Sequence, residues 1–147
     1  MPASSPDSSD VPRWELFEHG ADVGVRGVGR SLGQAFEQAA LALAAVIADP
    51  GRVAERASVT VRCSAPDPGL LLVDWLNALV YEMAVEDMLF AAFEAETDGH
   101  ALTGICRGEP VDRARHRPAV EVKGATQTAL RVETIDGAWI AQCVVDV

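Results

Sequence analysis

The sequence is short of basic residues, of long apolar runs and of a leader segment, and each shortage excludes a class of protein. Its 147 residues carry 12 Lys and Arg against 22 Asp and Glu, and the formal net charge of −10 argues against a protein that binds nucleic acid through a broad basic face. The apolar runs fall short of the roughly 20 residues that a membrane span needs, so we expect no membrane contact. No basic segment followed by an apolar one opens the chain, so we expect no cleaved secretion signal.

Cysteines and familiar catalytic motifs are also scarce. The chain has three dispersed cysteines, Cys63, Cys106 and Cys143, and no CxxC pair, a pattern typical of reduced, buried thiols in the cytoplasm. There is no P-loop, HExxH, GxSxG or zinc-ligand spacing, and the glycine-rich residues 24–29 match no phosphate-binding motif. The motifs therefore do not point to a nucleotide-binding or hydrolytic enzyme.

The chain does have enough apolar material for one core. Apolar residues make up 49% of the 147 residues and charged residues 23%, which suits a single globular domain. Residues 1–12 are mainly Ser, Pro and Asp and cannot bury enough surface to offset the entropy of ordering. We therefore predict a disordered N-terminal tail over residues 1–12 and a domain over residues 13–147.

Two segments have helical periodicity. Ser31 and Gln34 have the spacing of a capping box, and the apolar residues after them recur every three or four positions until an Asp-Pro-Gly at 49–51. The second predicted helix covers residues 70–86, with a buried leucine stripe. Its predicted water-facing residues are Asp74, Asn77 and Glu82.

The remaining patterned segments alternate like strands. Asp98-Gly99 and Asp136-Gly137 are dipeptides typical of hairpin turns. The predicted strands cover residues 14–18, 22–28, 57–63, 89–96, 101–107, 126–133 and 139–147. These elements predict an α+β fold, with two amphipathic helices packed on one face of a largely antiparallel β-sheet in a single domain.

Charge is distributed unevenly along the chain. No Lys or Arg lies between Arg62 and Arg107, a stretch with eight acidic residues, and several arginines follow within residues 107–117. A solvated acidic helix face beside an ordinary basic loop explains this pattern, and so does an acidic docking surface beside an anion-contacting loop. Lys123 is the only lysine.

Two carboxylates occupy unusual positions. Asp22 stands where a loop enters a predicted strand, and Asp146 ends an apolar strand one residue before the α-carboxylate of Val147. Two anions about 4 Å apart repel by roughly 1 kcal/mol even in water. They are tolerated when solvated, when held by a cation such as Lys123, or when they bind a divalent metal ion through several oxygens. Asp22 has a further alternative, which is to accept backbone N–H groups at the strand edge.

Several segments, in order, resemble the archease family. Residues 17–25, Phe-Glu-His-Gly-Ala-Asp-Val-Gly-Val, resemble the family motif His-Thr-Ala-Asp-Val-Gly-Ile. Residues 31–40 resemble the helix that follows it, and residues 70–81 resemble a helix built around Trp-Leu-Asn. Further resemblances are Glu109 with Asp112 and His116, residues 121–126, and residues 144–147. The resemblance spans about residues 14–147.

The resemblance implies a function. Archeases are small α+β accessory factors of RNA ligases of the RtcB type, which join a cyclic or 3′-phosphate end to a 5′-hydroxyl end in tRNA splicing and RNA repair, using GTP and manganese. An archease promotes guanylylation and repeated turnover of the ligase and is not itself the ligase. By this resemblance the chain is a non-catalytic, cytoplasmic partner of an RNA ligase and meets RNA only through that ligase.

The resemblance also implies which residues act. The metal site of the family falls on Asp22, Asp146 and Val147, which would bind calcium, magnesium or manganese. Its functional lysine falls on Lys123. Two other functions remain open on the same residues and charges: a metal-dependent phosphoester hydrolase, and a passive interaction module that docks through the acidic second helix.

Two histidines and three departures from the family pattern bear on the surroundings of this site. His19 and His116 are candidate functional residues, although each has an alternative role as an orienting or solvated residue. Gly20 replaces a threonine, Gly124 replaces an alanine, and Gln-Thr at 127–128 replaces Tyr-His. These changes leave the carboxylates intact and alter the groups that would support them.

Overall fold

The structure, a computed structural model, describes residues 10–147. Most of the tail predicted at residues 1–12 thus lies outside the described residues. Its last part is described, and there Val11 is buried, with 7% of its surface exposed. Val11 packs against Val28 and Ile140 in a small apolar cluster, so the packed part of the chain begins before residue 13.

Within residues 10–147 the chain forms eight strands, two long helices and a one-turn helix. The strands are β1 (Arg13–His19), β2 (Asp22–Gly29), β3 (Ala57–Ser64), β4 (Met88–Thr97), β5 (Ala101–Pro110), β6 (Gly124–Ala125), β7 (Arg131–Ile135) and β8 (Ala138–Asp146). The helices are α1 (Leu32–Ile47), α2 (Pro68–Val85) and the one-turn α3 (Arg113–His116), and a 3₁₀ turn lies at Pro50–Arg52.

The strand pairs of the described chain are all antiparallel, and they form two sheets. The larger sheet has the order β1-β2-β8-β6, with β7 also paired to β8, and the smaller one has the order β3-β5-β4. The predicted α+β class with antiparallel strands is confirmed, but the strands divide between two sheets instead of one. The division depends on which distant strands pair, and local alternation does not encode that.

The two long helices begin with the capping chemistry expected of them. Gln34 N–H donates to Ser31 Oγ at 3.1 Å, and Gln34 Oε1 accepts from Arg30 N–H at 2.8 Å. At the second helix, Asp67 Oδ1 accepts from Leu70 N–H at 2.9 Å. Because Asp67 caps it, α2 begins at Pro68, two residues before the predicted start.

The glycines of β2 allow other groups to approach the sheet closely. A Cβ at Gly27 would lie 2.1 Å from the carbonyl oxygen of Ala35 in α1, and one at Gly24 would lie 2.2 Å from the ring of Phe17. The Phe17 ring also lies 4.7 Å from the guanidinium carbon of Arg26. Close packing therefore accounts for the glycine-rich segment.

Both long helices pack with the two sheets around one main core. Near its centre, Trp75 Nε1 donates to the carbonyl oxygen of Phe36 at 3.1 Å. By length and composition alone, the 18 residues of α2 would pass for a membrane span, contrary to the expectation that the apolar runs are too short. In this fold α2 packs on the core with Trp75, four leucines and Val80 buried, whereas Tyr81 and Val85 are exposed.

The cysteines follow the expected burial only in part. Cys106 and Cys143 are buried, whereas Cys63 is half-buried. Burial raises the pKa of the Cys106 and Cys143 thiols to about 12. Both thiols are therefore protonated at neutral pH and are poor nucleophiles and metal ligands.

The strand predicted at residues 126–133 is wrong in its first half. The structure has the two-residue strand β6 before it and begins β7 only at Arg131. Between them Thr126 Oγ1 donates to the Val144 carbonyl at 2.8 Å and accepts from Thr128 N–H at 3.1 Å. These local side-chain hydrogen bonds compete with regular strand pairing.

Candidate functional site

Strand register brings the predicted metal-binding residues to one end of the larger sheet. In β1 and β2, His19 pairs with Asp22. In β2 and β8, Val23 pairs with Val145, so one further step along the antiparallel register sets Asp22 opposite Asp146. Facing residues of neighbouring strands carry their side chains on the same face. His19, Asp22 and Asp146 therefore form one row across three strands.

The chain terminus joins this row through the backbone. Val147 N–H donates to Asp22 Oδ1 at 3.2 Å, a contact between residues 125 positions apart. On the other side of β8, Lys123 N–H donates to the Asp146 carbonyl at 2.8 Å. We call the carboxylates of Asp22 and Asp146, together with the main-chain oxygen of Val147, the carboxylate corner. The sequence left two roles open for Asp22, which are to accept backbone N–H groups or to bind a metal ion. The hydrogen bond from Val147 N–H uses Asp22 Oδ1 and leaves Asp22 Oδ2 available for a metal ion.

The donor set of the carboxylate corner suits a hard cation. Asp22, Asp146 and Val147 are half-buried and offer only oxygen ligands, which calcium, magnesium and manganese prefer. Within residues 10–147, no three His, Cys, Asp or Glu side chains form a group that could hold a metal ion. Two side chains and the main-chain oxygens of the terminus would have to share the coordination.

Lys123 is fixed through its backbone and free at its side chain. The preceding Val122 is buried, with 4% exposure, and Lys123 itself is exposed. In the described part of the chain, the Lys123 ammonium has no carboxylate within the 4.0 Å of an ion pair. The Lys123 backbone therefore lies beside Asp146, and no ion pair among the described residues neutralises its side chain.

His19 belongs to the carboxylate row, whereas the contacts of His116 are elsewhere. His19 is exposed at the end of β1, opposite Asp22. His116 is buried; its Nδ1 accepts from Asp112 N–H at 2.8 Å, and its Nε2 lies 2.9 Å from Glu109 Oε2. Since Nδ1 is an acceptor, Nε2 carries the proton and donates to Glu109. These contacts occupy both ring nitrogens of His116.

Glu109 is the centre of a buried polar cluster. It is 2% exposed and accepts from Arg115 at 2.7 Å, from Ala54 N–H at 2.7 Å and from His116. Arg56 Nε lies 3.5 Å away. The hydrogen bonds from Arg115, Ala54 and His116 lower the pKa of Glu109 to about 2. The cluster ties the segment around α3 to the end of β5 and is a structural unit.

Asn77 is a supporting residue that sequence analysis placed incorrectly. It was predicted to face water, but Asn77 Oδ1 accepts from Ala125 N–H at 2.8 Å and Asn77 Nδ2 donates to the Ala125 carbonyl at 3.3 Å. Asn77 thereby holds β6 beside Asp146. The sequence feature that could have revealed this role is the position of an amide side chain between two core residues of the helix, Trp75 and Leu79.

The departures at Gly20 and Gly124 have structural explanations. Gly20 lies in the turn between β1 and β2 with a φ of +61°, a conformation that favours glycine. A Cβ at Gly124 would lie 3.3 Å from Asn77 Oδ1, a tight contact with a side chain that two hydrogen bonds hold to Ala125. Gln127 and Thr128 are exposed in the loop after β6, where the Thr128 carbonyl accepts from Val144 N–H at 3.0 Å.

Comparisons with known proteins agree with this architecture. The model of the archease protein family matches residues 14–147. The protein archease of Pyrococcus furiosus is 36% identical over 140 residues, which cover 92% of this chain and 99% of that protein. The protein archease of Methanosarcina acetivorans is 34% identical over 144 residues, which cover 95% and 99% of the two chains.

Solved structures show the same fold. The solution structure of Methanobacterium thermoautotrophicum protein 1598 matches with a TM-score of 0.81 and 30% identity, covering 93% of this chain and 100% of that one. The crystal structure of a Thermotoga maritima archease, described as a possible chaperone, matches with a TM-score of 0.61 and 16% identity, covering 90% and 96%. The family model spans nearly all of the described residues, and the chain belongs to the archease family.

Proposed function

We propose that this chain is an accessory factor of an RNA ligase of the RtcB type, acting in tRNA splicing and RNA repair in the cytoplasm. It promotes guanylylation of the ligase and repeated turnover, and it meets RNA only through the ligase. It catalyses no step itself. Membership of the archease family supports this proposal, as does the description of the Thermotoga maritima relative as a possible chaperone.

The observation that carries the proposal is the carboxylate corner. Asp22, Asp146 and Val147 converge at one end of the larger sheet, where no basic side chain pairs with them among residues 10–147. Uncompensated anions close together are costly unless solvent or a cation stabilises them. We propose that they bind one divalent cation, calcium, magnesium or manganese, which when bound supplies a positive centre for phosphate oxygens.

The residues around the corner have supporting roles in this proposal. Lys123 offers an exposed ammonium that contacts a phosphate of the nucleotide or RNA end, while its backbone holds Asp146 in place. His19 stands in the same row as Asp22 and limits access from the β1 side. Asn77 fixes β6 and therefore the position of Lys123. The contacts of His116 give it no part in this site.

Guanylylation of the ligase from the same organism, with GTP and manganese, tests the proposal. Asp22→Asn and Asp146→Asn remove one charge each and should reduce the stimulation by about tenfold or more, as removal of a metal ligand or its support does. Asp136→Asn, at an exposed hairpin turn, is the matched control and should stimulate like the wild type.

Two outcomes would contradict the proposal. If the Asp22 and Asp146 variants, shown to be folded by thermal melting, stimulate the ligase as the wild type does, the carboxylate corner has no role in activation. If the isolated chain hydrolyses phosphoesters and both variants abolish that turnover, the chain is a metal-dependent hydrolase and not an accessory factor.

A further inference from the structure

A groove lies between the end of α2 and the segment 118–122. Its volume is about 370 Å³. Most of the residues that line it are apolar, among them Ile47 at the end of α1, Val80 in α2, Met88 in β4 and Val122. Val122 immediately precedes Lys123, whose backbone holds Asp146. The groove and the carboxylate corner therefore share one segment of chain.

Apolar surface continues from the groove onto exposed protein. Tyr81 is 55% exposed, Val85 is 60% exposed and Val120 is 42% exposed, three of the five large hydrophobic side chains exposed in the described chain. Tyr81 lies three residues before Ala84, which lines the groove, and four residues before Val85, so Tyr81 neighbours both on the surface of α2. A small ligand enclosed by the groove would leave Tyr81 and Val85 uncovered. The extent of the apolar surface thus fits a polypeptide.

The α2 side of the groove is negatively charged. Asp87 lines the groove there, and Glu86 lies beside it at the end of α2. The opposite side is mixed, because Glu121 and Arg113 line it and Arg117 and Lys123 flank the segment 118–122. No Lys or Arg occurs between residues 62 and 107. A second copy of this chain, with its net charge of −10, would bring like charge to this surface.

The acidic end of α2 is unfavourable for the helix itself. The last turn has no basic residue, and Glu82, Glu86 and Asp87 place negative charge at the negative end of the helix dipole, which destabilises the helix. Asp87 also adopts a left-handed φ of 55°, where glycine is preferred. Residues that violate the usual preferences for charge and backbone conformation, with no benefit to the fold, are typical of binding sites.

We propose that this groove, with Tyr81 and Val85 beside it, docks a segment of a protein partner that carries apolar side chains flanked by Lys or Arg. The identity of that partner rests on the proposed function, under which it is the RNA ligase. The groove supplies affinity, and the carboxylate corner supplies activation. The segment 118–123 contributes to both the groove and the carboxylate corner, and it therefore fixes the position of the groove relative to the corner.

The affinity of the full chain for the ligase, measured by calorimetry, tests the apolar part of this proposal. The double variant Tyr81→Ser/Val85→Ser should raise the dissociation constant by about tenfold or more, since a few apolar anchors dominate most interfaces. Stimulation should return at saturating concentrations. The matched control Trp14→Ser/Leu16→Ser replaces two exposed apolar residues of β1 and should change the dissociation constant less than twofold.

The salt dependence of the affinity for the ligase tests whether the partner segment carries basic residues. Glu86→Gln/Asp87→Asn removes two charges beside the groove and should flatten the fall in affinity between low and moderate salt. Glu55→Gln/Glu96→Gln removes two exposed charges elsewhere and should leave the slope unchanged.

The outcomes separate this proposal from the proposed function. If the wild type binds and stimulates the ligase but the Tyr81 and Val85 variant binds equally well, the groove is not the docking site, and the function stands. Equal salt slopes for both charge variants would likewise overturn the choice of a basic partner segment. If the wild type neither binds nor stimulates the ligase, the proposed function fails, and the assignment of this partner to the groove fails with it.

Discussion

At the scale of single residues, Gly20 shows how one position departs from the family motif for a local reason. It lies in the turn between β1 and β2 with a φ of +61° and no neighbour within 4 Å of a Cβ. A β-branched residue there meets no clash with other residues but has to adopt a left-handed backbone. The left-handed backbone conformation, and not steric crowding, therefore favours glycine at position 20.

Gly20→Thr, which installs the family's usual residue, should lower the free energy of unfolding by about 1–2 kcal/mol because of left-handed strain. Urea unfolding measures this effect. Ala21→Thr is the control at the exposed neighbouring position, which has no positive φ, and should change the free energy by less than about 0.5 kcal/mol. A Gly20→Thr protein as stable as the wild type would show that the turn adopts another conformation.

Glu109 is the residue whose titration should be visible in stability. Hydrogen bonds from Arg115, Ala54 and His116 lower its pKa from 4.5 to about 2. A carboxyl group with a lower pKa in the folded state stabilises the fold above its ordinary pKa, and this contribution disappears as the pH falls through the folded value. The contribution of Glu109 is therefore complete above about pH 5 and is lost towards pH 2.

The difference in urea midpoint between the wild type and Glu109→Gln should consequently be large at pH 6 and shrink as the pH approaches 2. Glu133→Gln, at an exposed position, should give a small difference at every pH. A constant difference for Glu109→Gln across this range would mean that Glu109 is not ionised in the folded protein.

At the scale of elements, the end of α2 combines an exposed acidic turn with an unfavourable backbone. Asp87 follows the helix with a φ of 55°, and its carbonyl accepts from Val111 N–H at 2.9 Å. Glycine at this position would remove the strain and keep the backbone hydrogen bond. Asp87→Gly should raise the free energy of unfolding by about 0.5–1 kcal/mol.

Glu86→Gly is the matched comparison, because Glu86 has a φ of −93°. There glycine gains nothing and adds entropy to the unfolded chain, so stability should fall by several tenths of a kcal/mol up to about 1 kcal/mol. If both glycine variants destabilise the protein, the left-handed conformation of Asp87 carries no strain.

β6 depends on α2 more than on its own sequence. Asn77 in α2 holds one of its two residues, because it bonds both the N–H and the carbonyl of Ala125. Asn77→Ala should cost about 1–3 kcal/mol, because two backbone groups lose their partner. Amide hydrogen exchange should rise in residues 123–126. The exposed Asp74→Ala, in the same helix, should leave that exchange unchanged, and unchanged exchange in Asn77→Ala would show that β8 alone holds β6.

The elements predicted well are those whose signal is local. The capping residues before α1, the alternation in β3 and the Asp98-Gly99 turn between β4 and β5 were all predicted within a few residues. β6 was missed because Gly-Ala has no hydrophobic period, and Asn77 because its partner lies in a distant segment. Local patterns specify elements, and the partners of polar side chains depend on tertiary contacts.

At the scale of the whole molecule, the sheet order creates the candidate site. β8 pairs with β2 and β6, so the end of the chain lies between the first hairpin and the segment of Lys123. In the sequence, charge and position marked Asp22 and Asp146 as two separate candidate residues, and the family resemblance assigned them to one metal site. Only the register of β2 with β8 places them opposite each other. His116, the second candidate histidine, lies in a separate buried cluster with Glu109.

Binding of manganese to the full-length protein, followed by the electron paramagnetic resonance of the free ion, tests the shared carboxylate corner most directly. We predict one bound ion per chain. Asp22→Asn and Asp146→Asn should each weaken its affinity by about tenfold or more, and the double variant should lose little beyond the larger single effect, because both residues serve one ion. Equal affinity in the wild type and both single variants, or no binding by the wild type, would contradict the account.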